Sequence, residues 1–248
     1  SNIAALPNLK VLSLVSMGLG GPLPANIGDL HYLEILNISS NAFNGSIPLQ
    51  ISSLKSLQTL ILDHNSFTGQ IPEWISSLPE LSVLSLRNNS FIGSIPTTLS
   101  AMGSLRTLVL SQNNLSGQLD GIKNLNNLQV VQLEDNSFGP QFPPALPHKL
   151  VSLVLRNNRF HSAVESGAFN SCFQLQNLDI SMNDLVGVLP TSLLTLPSLT
   201  HLNIGGNKFT GKLLNNMSCT QLRLVNLTNN RLTGNLPDCL RNKSKVVL

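Results

Sequence analysis

The chain has 248 residues, 42% of them hydrophobic and 11% charged, with a net charge of +3 at pH 7. An average soluble domain carries about 25% charged residues, and a chain this apolar and weakly charged is excluded from intrinsic disorder. The charge reads as spread along the sequence with no Lys/Arg cluster, which argues against nucleic acid as a partner. No apolar run reaches the ~18 residues of a membrane span.

Taken in chain order, one pattern recurs. Its marker is the second Leu of an L-x-x-L-x-x-L-x-L unit: Leu9, Leu33, Leu57, Leu81, Leu105, Leu128, Leu150, Leu175, Leu199 and Leu222. The markers lie 22–25 residues apart, so residues 1–248 read as one domain of about ten repeats without linkers. Each unit opens with a predicted strand, because the two Leu of L-x-L, such as Leu60 and Leu62, fall on one face at period two. So short a strand cannot bury its face alone, and stacking on the next unit in a parallel sheet is expected. Three residues on comes an Asn: Asn41, Asn65, Asn89, Asn113, Asn136, Asn158, Asn183, Asn207 and Asn230. A side-chain amide both donates and accepts, so it can pair the backbone groups exposed where the chain turns. An aliphatic or Phe residue, a Gly that lets the backbone bend, and Ile/Leu–Pro close the unit in extended form.

The departures also fall in order. Met17 replaces the Asn of the first unit, DGIKN (120–124) lacks the usual Pro, and FHSAVESGAF (160–169) lacks G-x-I-P. Cys172 and Cys219 occupy the slot three residues before a marker, which Leu30 and Leu54 fill elsewhere, and read as small buried hydrophobes. Two coils apart, their Cα atoms would be about 10 Å from each other, too far for a disulfide. Cys239 lies off the strand, and its partner is expected beyond Leu248.

Catalytic constellations are missing from the sequence. It contains no H-E-x-x-H, C-x-x-C, G-x-S-x-G or P-loop motif, and His31, His64, His148, His161 and His201 lack metal-ligand spacing. Asp63–His64 reads as two neighbouring polar residues after a strand, and Glu134–Asp135 is a single acidic pair without further oxygen ligands. Neither enzymatic activity nor a metal or other cofactor is expected.

The full unit, L-x-x-L-x-x-L-x-L-x-x-N-x-F/L-x-G-x-I/L-P, resembles the plant-type leucine-rich repeat along essentially the whole chain. That resemblance implies an α/β-type repeat solenoid, a superhelix with a concave parallel β-sheet and little regular helix on the convex side. It also implies the ectodomain of a receptor-like kinase or receptor-like protein at the extracellular face of the plasma membrane. There it would bind a secreted peptide or another receptor ectodomain, with any membrane anchor in segments outside this chain. FGPQFPPALPHKL (138–150) and CTQLRLVNLTNNRLTGNLPDC (219–239) are similar to a receptor-kinase subfamily whose kinase is often predicted inactive. The cysteine-paired caps usual in the family are not apparent at either end, so flanking sequence is expected. The alternative is a secreted inhibitor of a microbial cell-wall-degrading enzyme, resembling the plant inhibitors of polygalacturonase.

Sequons at Asn37, Asn44, Asn88, Asn114, Asn216, Asn226 and Asn242 favour the secretory route, with N-linked glycans. None occurs between Asn114 and Asn216, a stretch that also holds the irregular repeats. Glycan and protein partner compete for surface, so the candidate partner-binding residues are Gln132, Glu134, Arg156, Asp179, His201 and Asn203. Two charge pairs on adjacent strands are expected, Asp63 with Arg87 and Glu134 with Arg156. The Arg-x-Arg pair with which family receptors often hold a ligand carboxylate is absent, since Arg156 and Arg159 are three apart.

Overall fold

The computed structural model describes residues 6–214, 219, 221–241 and 246–247, in two compact units, Ser1–Ser116 and Gly117–Leu248. In the first unit the L-x-L segments are the strands Val11–Ser13, Ile35–Asn37, Thr59–Ile61, Val83–Ser85 and Thr107–Val109, each parallel to the next. Leu36, Leu60, Leu84 and Leu108 stand in register and are wholly buried, each side chain contributing about 1.5–3 kcal/mol of apolar transfer. The x residues flanking them lie on the opposite face of the strands, half-buried or exposed except for the buried Ser85.

The Phe–x–Gly segment does more than bend. Gly20–Pro22, Ala42–Gly45, Ser66–Gln70, Ser90–Gly93 and Asn114–Gly117 form a second parallel sheet that the repeat pattern did not predict. It seats Phe43, Phe67 and Phe91 in a stack with 6.3 Å between successive ring centroids. Gly69, at φ +83°, adopts a conformation closed to most side chains. The prolines then start single 3₁₀ turns: Pro24, Pro48, Pro72 and Pro96 precede Ala25–Asp29, Leu49–Ser53, Glu73–Ser77 and Thr97–Ala101. Each proline carbonyl accepts the N–H three residues on, as in Ile75 N to Pro72 O at 3.1 Å. The ring lacks only a donor that a turn's first residue does not use.

The second unit repeats the scheme less regularly. Val130–Gln132, Ser152–Val154, Asn177–Asp179, His201–Asn203 and Leu224–Asn226 form its parallel sheet, joined by Val246–Val247. Val186–Val188, Lys208–Lys212 and Arg231–Thr233 form a second, three-stranded sheet. DGIKN still makes a 3₁₀ turn, Asp120–Asn124, with Leu119 in the place of the proline. Regular helix among the described residues is limited to the four-residue pieces Thr191–Leu194 and Asp238–Arg241. FHSAVESGAF packs Phe160, Val164 and Phe169 into the core, Phe142 lying 6.1 Å from Phe160.

The repeated Asn acts through both ends of its amide. In Asn65, Asn89, Asn113, Asn158, Asn183, Asn207 and Asn230, Oδ1 accepts the backbone N–H two residues beyond the previous unit's Asn. Nδ2 donates to carbonyls of its own and the preceding unit, for Asn89 to Leu86 at 3.2 Å and Leu62 at 3.0 Å. Asn41 uses the same amide to cap Met17 and Leu19, so the first unit's missing Asn leaves these N–H groups satisfied.

One cysteine expectation is overturned. Cys219 is bonded to Cys239, 20 residues on, with Cα atoms 5.8 Å apart, so the partner of Cys239 does not lie beyond Leu248. The distance argument that separates Cys172 from Cys219 spans two coils. Cys239, in Asp238–Arg241, is only one coil from Cys219, and that spacing is within disulfide reach. Cys172 is a free thiol, fully buried, as a small hydrophobe should be; burial pushes its pKa up to about 11.

Candidate functional site

The strand face of the second unit gathers most of the sequence candidates. Backbone register sets Gln132 beside Val154, then Asp179, then Asn203, then Asn226, one residue per strand. His201 pairs with Asn177 two residues before that row. Glu134 and Arg156 lie two residues after it, on neighbouring strands. The six thus share one face and three adjacent rows, with Arg156 and His201 exposed and Gln132, Glu134, Asp179 and Asn203 half-buried.

They do not share one chemistry. The carboxylate of Asp179 is engaged by its own scaffold: Oδ1 accepts the Ser181 N–H at 3.0 Å and the Ser181 hydroxyl, and Oδ2 accepts from Asn203 Nδ2 at 3.0 Å. Asn203 Oδ1 accepts the Gly205 N–H at 3.2 Å, and Asn226 Oδ1 accepts the N–H and hydroxyl of Thr228. Each closes the strand end, where the sheet leaves an N–H open. Gly205 is needed for room: a Cβ there would sit 2.9 Å from Asn226 Nδ2. The side chains of Gln132 and Arg156 make no hydrogen bond to described residues, and His201 meets only the hydroxyl of its neighbour Thr200, at 2.9 Å. Ser181, Gly205 and Thr228 therefore belong to this face, and the sequence signal that could have found them is an Asn/Asp-x-Ser/Thr/Gly at the end of the strand.

The expected pair of Asp63 with Arg87 does not form. In the first unit Asp63 Oδ1 accepts the Ser85 hydroxyl at 2.7 Å and the backbone N–H of Arg87 at 2.8 Å. The Arg87 guanidinium turns to Gln112 Oε1, 3.4 Å away. A carboxylate at that position is drawn to the open N–H, which is fixed, before a mobile guanidinium. Among the described residues ion pairs join Lys10 to Glu34, Lys208 to Asp184 and Arg241 to Asp238. Lys208 beside Asp184 holds that carboxyl below its usual range, with a smaller contribution from His161.

The sequons differ in setting. Asn44 and Asn114 are exposed on the outer sheet of the first unit. Asn88 is exposed at φ +50°, its Nδ2 2.8 Å from His64 Nδ1. Asn37 and Asn226 are half-buried on strand ends, each with Oδ1 bound to the Ser or Thr of its own sequon. Asn216 and Asn242 lie outside the described residues.

A family profile described as a leucine-rich repeat region matches residues 1–233. The chain belongs to the leucine-rich repeat family. Its repeats are 35% identical over 133 residues to Pollen receptor-like kinase 2 of Arabidopsis thaliana, covering 50% of the chain and 19% of that protein. They are 52% identical over 55 residues to an A. thaliana protein named "Probable inactive leucine-rich repeat receptor-like protein kinase", covering 22% of the chain and 7% of that protein. Among solved structures, the plant peptide hormone receptor RGFR1 in complex with RGF2 superposes with a TM-score of 0.91 at 29% identity, over 98% of the chain and 40% of the receptor. The leucine-rich repeat chain thus spans less than half the length of each of these proteins. No helix among its described residues is long and apolar enough to cross a membrane.

Proposed function

We propose that the chain is the extracellular recognition part of a plant receptor-like kinase or receptor-like protein. It acts by binding, at the outer face of the plasma membrane, and its occupant is an extended peptide or another receptor ectodomain. The observation that carries this reading is the open strand face of the second unit, where Gln132, Arg156 and His201 keep donors and acceptors unspent on a rigid sheet. The superposition of nearly the whole chain on a peptide hormone receptor supports it. Glycans on the exposed Asn44, Asn88 and Asn114 fit the same compartment.

The test is capture of partners from a plant cell-wall extract by the glycosylated chain, beside a variant carrying Glu134→Lys and Arg156→Glu. Capture of a small peptide or a receptor ectodomain, abolished in the variant, is the expected result. A pectin-degrading enzyme as the captured partner would overturn the function, and capture indifferent to the double change would overturn the site.

A further inference from the structure

The net charge of +3 is not evenly spread, contrary to the expectation from the sequence. Residues 180–248 hold seven Lys/Arg against only Asp184 and Asp238, whereas residues 1–179 hold eight Lys/Arg against ten Asp/Glu. Both acids of the basic segment are already engaged, Asp184 by Lys208 at 2.6 Å and Asp238 by Arg241 at 3.2 Å. Part of the excess has a place in the fold: Lys212 and Arg231 are exposed on the outward face of the three-stranded sheet of the second unit, beside Lys208, which Asp184 neutralises.

Register fixes their arrangement. Arg231 lies opposite Thr210, midway between Lys208 and Lys212 on the neighbouring strand, and Thr233 lies opposite Lys212. From strand spacing and rise, Arg231 stands roughly 8 Å from each lysine at the Cα level. The result is two uncompensated cations, Lys212 and Arg231, beside the Lys208–Asp184 pair, interleaved with two threonine hydroxyls and bordered by the exposed Val186 and Val188. The fold does not require these charges. The corresponding outward positions in the first unit are Asn44, Ser66, Thr68, Gln70, Ser90 and Ile92, exposed and uncharged.

We propose that this face binds a carboxylate-bearing polysaccharide, a polymer of uronic acids. Charge complementarity sets the sign of the partner. Two free cations about 8 Å apart on an exposed sheet suit neighbouring acids of an extended chain, and the threonine hydroxyls beside them suit the hydroxyls of sugar rings. This inference rests on the extracellular reading for its choice of polymer. It places a wall-facing contact on a different sheet from the partner face, so the two can be occupied together.

The experiment is titration calorimetry of the whole glycosylated chain, at low and at physiological salt, against three probes. They are a galacturonate oligomer, the same oligomer methyl-esterified, and poly-glutamate. The acidic oligomer is expected to bind, with affinity falling as salt rises. The ester, which keeps the sugar and loses the charge, is expected not to bind. Lys212→Glu with Arg231→Glu is expected to weaken binding at least about tenfold, and the milder Lys212→Gln with Arg231→Gln to weaken it less, without a change in melting temperature for either exposed pair. No binding of the acidic oligomer at low salt, unchanged binding in both double variants, or poly-glutamate binding as tightly as the sugar would overturn the proposal. Arg156→Glu serves as the control: it strikes the partner face and is expected to leave the polysaccharide titration unchanged, so failure of one reading is told apart from failure of the other.

Discussion

Asn89→Ala isolates what one ladder amide contributes. Asn89 is 9% exposed, and its Oδ1 accepts the Phe67 N–H at 3.0 Å. Its Nδ2 donates to the carbonyls of Leu62, Leu86 and Arg87. Those three carbonyls each keep a second partner: Asn65 Nδ2 for Leu62, Asn113 Nδ2 for Leu86 and the His64 N–H for Arg87. Truncation therefore orphans one group outright, the N–H of the fully buried Phe67, and weakens three others. One buried unsatisfied donor costs about 1–3 kcal/mol, and with the thinned carbonyl contacts the expected loss is about 2–4 kcal/mol. Urea unfolding reads it as a lower midpoint, and amide exchange should show the Phe67 N–H losing protection before the rest of the unit. Gln58→Ala, an exposed change at a repeat edge, is expected to stay within about 0.5 kcal/mol. If Asn89→Ala loses no more than Gln58→Ala and Phe67 exchanges as slowly as before, the ladder is not what holds the turns.

Three further outcomes follow from the core and the cysteines. Phe67→Ala opens the middle of the Phe43–Phe67–Phe91 stack and is expected to cost about 3–5 kcal/mol by chemical denaturation; a loss under about 1 kcal/mol would mean the stack collapses freely. A non-reducing peptide map is expected to recover Cys219 joined to Cys239, with Cys172 a free thiol, and replacing the pair by Ala to cost about 3 kcal/mol for its 20-residue span. A bridge involving Cys172 would contradict the structure. The Cys172 thiol titrates near 11 in the fold against an ordinary 9.0, because burial disfavours the thiolate. Between those values the unfolded chain has released the proton and the native chain still holds it, so stability present below pH 9.0 is lost as pH rises toward 11. Cys172→Ala should flatten that slope in thermal melts, and native Cys172 should resist alkylation at pH 8.

The repeat was legible because its period is imposed by a problem that each coil shares. Leu60 and Leu84 must bury the same face, and Asn65 and Asn89 must pair the same orphaned backbone groups, so spacing alone located strands and ladder. The second sheet was not legible. Ser66–Gln70 reads S-F-T-G-Q, whose single apolar residue and glycine give no strand signal, and its pairing comes only from stacking on Ala42–Gly45 and Ser90–Gly93. Cys219 and Cys239 were missed for a related reason: their 20-residue separation means one coil only once the position of Asp238–Arg241 is known. The Asp63–Arg87 pair failed because sequence gives the column of a side chain and not its nearest open partner, which for Asp63 is a backbone N–H.

That last distinction divides the candidate face and can be tested on two of its own residues. Asp179 satisfies the N–H and hydroxyl of Ser181, which is 3% exposed, and accepts from Asn203. Asp179→Ala strands a buried donor pair, so about 1–3 kcal/mol of stability should go with it. Gln132 stands in the same row, half-buried, with no hydrogen bond to describe, and Gln132→Ala should change stability by less than about 0.5 kcal/mol. In binding the order should invert once folding is restored by working well below the melting temperature. A partner on this face takes groups the fold has left open, so Gln132→Ala should weaken capture while Asp179→Ala weakens it only through the shift of Asn203. Equal stability losses in the two variants, or capture lost only with Asp179→Ala, would mean that the carboxylate is offered to the partner and that Ser181 finds another acceptor.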